Sequence, residues 1–94
     1  MPEQVVDNPA MRRFELAIEG SEEPAVAYYR VEGDRVILTH TEVPQAFSGR
    51  GIASRLATGV FDLIRSSGRK VVPQCPFMGE FAARHPEFAD AISA

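Results

Sequence analysis

Hydrophobic and polar residues alternate in the first third of the chain with the two-residue period of β-strands. Phe14, Leu16 and Ile18 fall on one side of a segment that begins at residue 12, and the positions between them are mostly charged. Glycine, serine, acidic residues and proline interrupt the pattern at 20–24. The alternation therefore predicts a strand with one face in the core and one face in water.

Two further strands are predicted directly after the first. The segment Ala25–Glu32 is rich in Val and Tyr, and a short glycine-containing turn leads into a third segment over 35–43. Connections this short join neighbouring antiparallel strands. Strict alternation places His40 on the same face as the apolar Val36 and Leu38. We therefore expect an antiparallel meander in which His40 has apolar neighbours.

The pattern changes to that of an α-helix after a loop over 44–51. Apolar residues recur at helical spacing from position 53 to position 64, and Gly68 lies where a helix of this length would end. A short apolar segment over 69–73 follows. A strand, helix, strand connection of this length gives parallel strands with a right-handed crossover, so this segment is expected to pair in parallel with the third strand.

The remaining segments complete an α+β architecture. Pro76 is expected to open a helix that runs to Arg84, because proline is tolerated in the first helical turn, and 85–94 predict one or two more helical turns. Residues 1–11 lack periodicity and contain two prolines, which predicts a flexible leader. Because 94 residues leave no room for a second core, 12–94 are predicted to form a single domain.

Composition and charge argue against several classes of function. The formal net charge is −3 and basic residues form no run, which disfavours nucleic acid as a partner. No apolar stretch approaches the roughly 20 residues needed to cross a membrane, and the N-terminus lacks the pattern of a signal peptide. One cysteine and two histidines supply neither a disulfide nor a closed zinc site. We expect a cytoplasmic protein without a metal.

The loop before the predicted helix has the composition of an anion-binding site. Gly49 and Gly51 would let the backbone approach a ligand closely, and Ala53 keeps the first helical turn narrow. Free N–H groups and the helix dipole favour a phosphate at such a helix start, and Arg50 could add a charge-assisted contact. Neither common nucleotide-binding motif fits, and glycines that merely cap the helix are the structural alternative.

Residues 48–53, Ser-Gly-Arg-Gly-Ile-Ala, resemble the Q/R-x-x-G-x-G/A signature of the GNAT N-acetyltransferase superfamily, with Ser48 where Gln or Arg is usual. The segments 40–44, 73–77 and 84–88 are similar, in the same order, to a family of very short GNAT-like proteins, and the resemblance covers about residues 12–92. It implies a reduced GNAT fold: an antiparallel β-meander, the coenzyme-binding helix, a parallel strand that splays from its neighbour to admit the pantetheine arm, and C-terminal helices.

The resemblance also implies a function, the transfer of acetyl from acetyl-coenzyme A to an amine that the sequence does not identify. The coenzyme-binding residues that it implies are Thr41, Glu42, Val43, Ser48, Gly49, Arg50, Gly51, Ile52, Ala53, Cys75, Pro76 and Phe77. By the family geometry Cys75 lies near the thioester, where a thiolate could accept acetyl; the alternative is a small buried hydrophobe.

His40 is the second candidate catalytic residue, as a base for the amine or as a partner of the thiol; the alternative is a packed core histidine. We expect direct transfer from the thioester to the amine rather than transfer through the cysteine. A non-catalytic module that binds coenzyme A or acyl-coenzyme A is the other function that this sequence fits.

Overall fold

The computed structural model of the chain describes residues 5–93. In chain order it contains β1 (Val5–Asn8), β2 (Arg13–Leu16), β3 (Ala25–Glu32), β4 (Arg35–Glu42), a 3-10 helix (Gln45–Phe47), α1 (Ile52–Ser66), β5 (Lys70–Pro73), α2 (Pro76–Arg84) and a second 3-10 helix (Pro86–Ala91). These elements confirm the predicted α+β class. No helix among the described residues is long and apolar enough to cross a membrane.

The five strands form one sheet in the order β1-β2-β3-β4-β5. The first four pair antiparallel, and β5 pairs parallel to β4 after a crossover through α1. This is the predicted meander followed by a parallel strand. The first 3-10 helix lies inside the predicted loop over 44–51, and the second lies in the predicted C-terminal helical segment.

The core lies between one face of the sheet, called here the inner face, and α1. The helix buries its apolar stripe completely or nearly so, at Ile52, Leu56, Ala57, Val60, Phe61 and Ile64. Phe61 also contacts the C-terminal segment, with ring centroids 5.3 Å from Phe81 and 5.4 Å from Phe88, both edge to face. Burial of one such side chain contributes about 1.5–3 kcal/mol, so this aromatic group anchors α2 and the second 3-10 helix.

The predicted flexible leader is wrong from Val5 onward, and residues 1–4 lie outside the described residues. Strand β1 pairs with β2 along its whole length, from Val5 opposite Leu16 to Asn8 opposite Arg13. Val5 is buried in the core, and Asp7 accepts a hydrogen bond of 2.6 Å from the hydroxyl of Tyr29. The segment has two adjacent apolar residues followed by two polar ones, so it shows no two-residue alternation and the sequence did not indicate a strand.

The prediction that His40 shares a face with Val36 and Leu38 is also wrong. Tyr29 pairs with Leu38 and Tyr28 pairs with His40, so Thr39 is an extra residue in β4 without a partner in β3. A β-bulge of this kind shifts the alternation of side chains by one residue. His40 therefore lies on the outer face of the sheet, where its side chain is 59% exposed.

Close packing between α1 and β1 yields a prediction about Gly59. An added Cβ there would lie 2.3 Å from Cγ2 and 2.7 Å from Cβ of Val5, so β1 would have to move. We expect Gly59→Ala to lower the free energy of unfolding by about 1 kcal/mol, because overpacking costs about 1–3 kcal/mol and outweighs the gain of about 1 kcal/mol in helix propensity. The measurement is the urea midpoint at unchanged slope.

Gly79 in α2 is the matched control, because a Cβ there meets only the carbonyl oxygen of Pro73 at an ordinary 3.5 Å. Gly79→Ala should leave stability unchanged or raise it. A stability increase in both variants would show that β1 does not constrain Gly59.

Candidate functional site

The N-terminus of α1 is open to a ligand. Gly51 is the residue before the helix, no side chain caps the helix there, and the first turn contains no acidic residue among those the structure describes. The first N–H groups of a helix have no partner within the helix, and the helix dipole adds positive potential at this end. This end of α1 therefore offers donors and a favourable field to an anion.

Two glycines give the loop its path into the helix. Gly49 has φ 81° and Gly51 has φ 75°, the left-handed region that costs other residues roughly 1–2 kcal/mol. An added Cβ at either glycine would meet nothing within 4 Å. The requirement for glycine is therefore conformational, and the space beside both residues is free for a ligand.

The other residues of this segment take distinct positions. The hydroxyl of Ser48 donates to the carbonyl of Gln45 at 3.0 Å, so Ser48 ends the 3-10 helix rather than capping α1. The Arg50 guanidinium lies over the Phe47 ring, 5.4 Å from its centroid, and is exposed at the rim. Ile52 is buried and fixes the helix start to the core, and Ala53 is half-buried.

Strands β4 and β5 separate halfway along β4. Their last pair is Leu38 with Pro73, and the Cys75 N–H then donates to the Leu38 carbonyl at 2.9 Å. Pro76 begins α2, so the chain turns away while β4 continues to Glu42. Among residues 5–93, the second half of β4 has no strand partner on this side, as the predicted splay requires.

Cys75 lies at this point of divergence and is a free, buried thiol. Its sulfur is 3.4 Å from the Thr41 hydroxyl oxygen, and Cys75 is also the residue before α2. Burial raises the pKa of the thiol, but contacts with Thr41 and with the backbone of Phe77 and Met78 outweigh burial and hold the pKa below its ordinary value. Thiolate character is therefore favoured at this position.

His40 has different partners on the outer face of the sheet. Its Nε2 lies 3.0 Å from a carboxylate oxygen of Glu42, and its ring stacks with that of Tyr28 at a centroid distance of 6.2 Å. It is neither a packed core residue nor a contact of the thiol. The structure thus brings Thr41 to Cys75, and not His40, because the bulge at Thr39 turns His40 outward.

Glu42 and Val43 lie at the end of β4 beside a cavity of about 380 Å³, which Thr41, Pro44, Glu23 and Pro24 also line. Val43 packs against the core from this position. The cavity therefore adjoins the threonine that contacts the thiol.

Pro76 is the first residue of α2, and Phe77 is half-buried with its ring 6.5 Å from that of Phe81. The role of Met78, whose backbone contacts the thiol, was not predicted. The sequence contained an indication of this contact. A proline that opens a helix makes the preceding cysteine the cap residue, close to the first free N–H groups.

Known proteins resemble this chain in sequence and in fold. Residues 13–91 match the family model described as GCN5-related N-acetyl-transferase. The chain belongs to the GCN5-related N-acetyltransferase family. It is 34% identical over 86 residues to Protein NATD1 of Gallus gallus, a match that covers 90% of this chain and 78% of the relative. The match to Protein NATD1 of Homo sapiens is 33% identical over 86 residues and covers 90% and 76%.

A solved structure supports the fold of this N-acetyltransferase family member. The solution NMR structure of a GCN5-like protein from Staphylococcus aureus superimposes with a TM-score of 0.72, covering 97% of this chain and 88% of the other. The two sequences are 18% identical, so the likeness is one of fold. The family match over residues 13–91 confirms the resemblance inferred from the sequence motifs, and this structure confirms the fold.

The contacts of Cys75 in this family member generate a prediction about its ionisation. Thr41→Val keeps the side-chain volume and removes the hydroxyl beside the sulfur, so the thiol pKa should rise. The measurement is the pH dependence of the alkylation rate, whose midpoint should shift to higher pH.

His40→Ala is the control for this measurement, because His40 does not contact the sulfur, and it should leave the midpoint in place. A midpoint that moves with His40 and not with Thr41 would contradict the assignment of the thiol's partner.

Proposed function

We propose that this chain binds acetyl-coenzyme A and transfers its acetyl group to an amine. The observation that carries the proposal is the uncapped start of α1 behind two left-handed glycines, within the residues 48–53 that resemble the coenzyme-binding signature of the family. A pyrophosphate here would accept hydrogen bonds from the N–H groups of Ile52 and Ala53 and lie at the positive end of the helix dipole. Arg50 would reach it from the rim.

The pantetheine arm would run from this helix start into the gap between β4 and β5. Beyond Leu38 the edge of β4 that faces the gap has no strand partner among residues 5–93, so its backbone groups, apart from the Thr41 backbone that contacts Cys75, could bond the amides of the arm. Thr41, Glu42 and Val43 would flank the arm, and Cys75, Pro76 and Phe77 would form the far wall. The thioester would then lie near the sulfur of Cys75.

Direct transfer is the chemistry that we propose at the thioester. A neutral amine nitrogen attacks the thioester carbonyl carbon, the carbon–sulfur bond breaks, and the coenzyme A thiolate leaves while the amine proton passes to a base. Holding amine and thioester in line supplies much of the acceleration. His40 is the candidate base, since its imidazole lies against the Glu42 carboxylate one residue from Thr41. Because His40 lies on the outer face, away from Cys75, it would receive the amine proton through a water molecule rather than by direct contact at the thioester.

Transfer through Cys75 is the second route. Its thiolate would attack the thioester carbonyl, release coenzyme A thiolate, and then pass the acetyl group to the amine. The lowered pKa of the buried thiol favours this route. The absence of a base beside the sulfur, among the described residues, disfavours it, because His40 lies on the opposite face.

The same separation of His40 and Cys75 favours a second function. A protein that binds coenzyme A or an acyl-coenzyme A without turning it over would need the helix start and the gap, but no paired nucleophile and base. The free thiol of Cys75 fits a reducing compartment, and we propose the cytoplasm for either function.

The proposed cofactor site predicts a loss of binding in Gly51→Val. Its side chain would occupy the space that the phosphates need and would strain a residue at φ 75°. We expect acetyl-coenzyme A affinity to fall by about tenfold or more, equivalent to at least about 1.4 kcal/mol, in calorimetric titration. The ligand should raise the melting temperature of the native protein.

Gly68→Val provides the matched control, because Gly68 has φ 79° with equally free space at the other end of α1. It should cost comparable stability and leave affinity unchanged. Equal affinity in both variants, or no binding to the native protein, would remove the proposed cofactor site.

Turnover separates the enzyme from the binding module. With a panel of amines, thiol release should fall strongly in His40→Ala, because the base is lost, and should persist in Cys75→Ala. The intact mass of the native protein after incubation with acetyl-coenzyme A alone should be unchanged. An acetyl adduct that is absent in Cys75→Ala would establish the covalent route instead. Tight binding without turnover of any amine would favour the binding module.

A further inference from the structure

A second concave site lies at the end of the sheet opposite to the start of α1. Its cavity has a volume of about 500 Å³ and is lined by Arg12, Arg30 and Arg69 around the hydroxyl of Tyr29. Arg69 precedes Lys70, which pairs with the first residue of β4, whereas the loop that leads to Gly51 leaves the sheet after the last residue of β4. At about 3.3 Å per residue the eight residues of β4 span about 25 Å, so the two sites lie toward opposite ends of this strand.

Two of the three arginine side chains are not paired with another side chain among the described residues. Among the basic residues of 5–93, Arg12 and Arg69 are the two whose side chains make no hydrogen bond, ion pair or ring contact. Arg30 donates to Glu32 at 3.1 Å on an exposed surface, where such a pair contributes little. The chain as a whole carries a net charge of −3, so the sign of the charge at this cavity is opposite to that of the whole chain.

The backbone at Arg12 is the second unusual feature of the cavity. Arg12 ends the turn between β1 and β2, where its N–H donates to the Pro9 carbonyl at 3.1 Å, and it has φ 54°. Among the described residues it is the one non-glycine with positive φ. Glycine or asparagine would adopt this backbone conformation at a lower free energy. The backbone strain therefore lies at a residue whose side chain lines the cavity.

The remaining polar groups of the cavity are already engaged with each other. The Tyr29 hydroxyl donates to the Asp7 carboxylate at 2.6 Å, and burial together with this bond raises the pKa of Tyr29 to about 12. The phenol therefore stays protonated at neutral pH. Asp7 and the Glu32 carboxylate paired with Arg30 offset two of the three guanidinium charges, which leaves the cavity positive.

We infer that this cavity binds the phosphate group of a small molecule. Guanidinium groups match the paired oxygens of a phosphate, and Arg12 and Arg69 are free to bind it. A volume of about 500 Å³ is in the range for a small-molecule site, so there is room for more than the phosphate itself. Pro9 and Val31 give that remainder an apolar wall.

The test is an NMR titration of the native protein with inorganic phosphate and, separately, with ribose 5-phosphate. We expect saturable shifts of the Asp7, Tyr29 and Val31 amides with both probes, distinct from any shifts at Gly51 and Ile52. Tighter binding of ribose 5-phosphate would assign the site to a phosphate monoester, and equal binding would assign it to the free ion. No saturable shift at these three amides, with either probe, would overturn the inference.

Variants of the cavity arginines separate phosphate binding at this cavity from coenzyme binding at the start of α1. Arg12→Gly should raise the melting temperature by relieving the strained backbone, yet weaken phosphate binding by about tenfold, as the loss of one charge-assisted contact implies. Arg69→Gln should weaken phosphate binding without raising the melting temperature. Arg84→Gln removes an exposed charge paired with Glu80 elsewhere and should change neither phosphate binding nor the melting temperature.

Undiminished phosphate binding in the Arg12→Gly and Arg69→Gln double variant would contradict the site. Acetyl-coenzyme A affinity should be unchanged in all of these variants.

Discussion

The separation of β4 and β5 beyond Leu38 is the backbone feature on which the candidate site depends. Pro73 has no N–H to extend the ladder, the N–H of Cys75 makes the last bond to Leu38, and Pro76 turns the chain into α2. The extra residue Thr39 falls at the same level of β4. One short stretch of backbone therefore opens the gap, brings Thr41 to the thiol and turns His40 to the opposite face.

Most of the fold could be predicted from the sequence because its periods are long and regular. The fifteen residues of α1 show one apolar stripe, and β3 and β4 are eight residues each with a glycine turn between them. The glycines at 49 and 51 indicated a special backbone path, and both have positive φ. Local conformational requirements of this kind are visible in a sequence because the residue type itself reports them.

The errors have equally local causes. A bulge adds one residue without changing the composition of a strand, so alternation assigned His40 to the wrong face. Strand β1 has four residues and is held by contacts distant in sequence, from Val5 to Gly59 and from Asp7 to Tyr29. For the thiol, the sequence placed Cys75 at the end of a strand, but its hydrogen-bond partner Thr41 is 34 residues away.

We propose that the start of α1 and the gap between β4 and β5 form one continuous coenzyme site. An NMR titration of the native protein with coenzyme A tests it most directly, because backbone amides report along the whole proposed path. A continuous site should give saturable shifts with one affinity at Gly51, Ile52 and Ala53 and also at Thr41 and Cys75. Shifts confined to the helix start, with Thr41 and Cys75 unmoved at saturation, would contradict it.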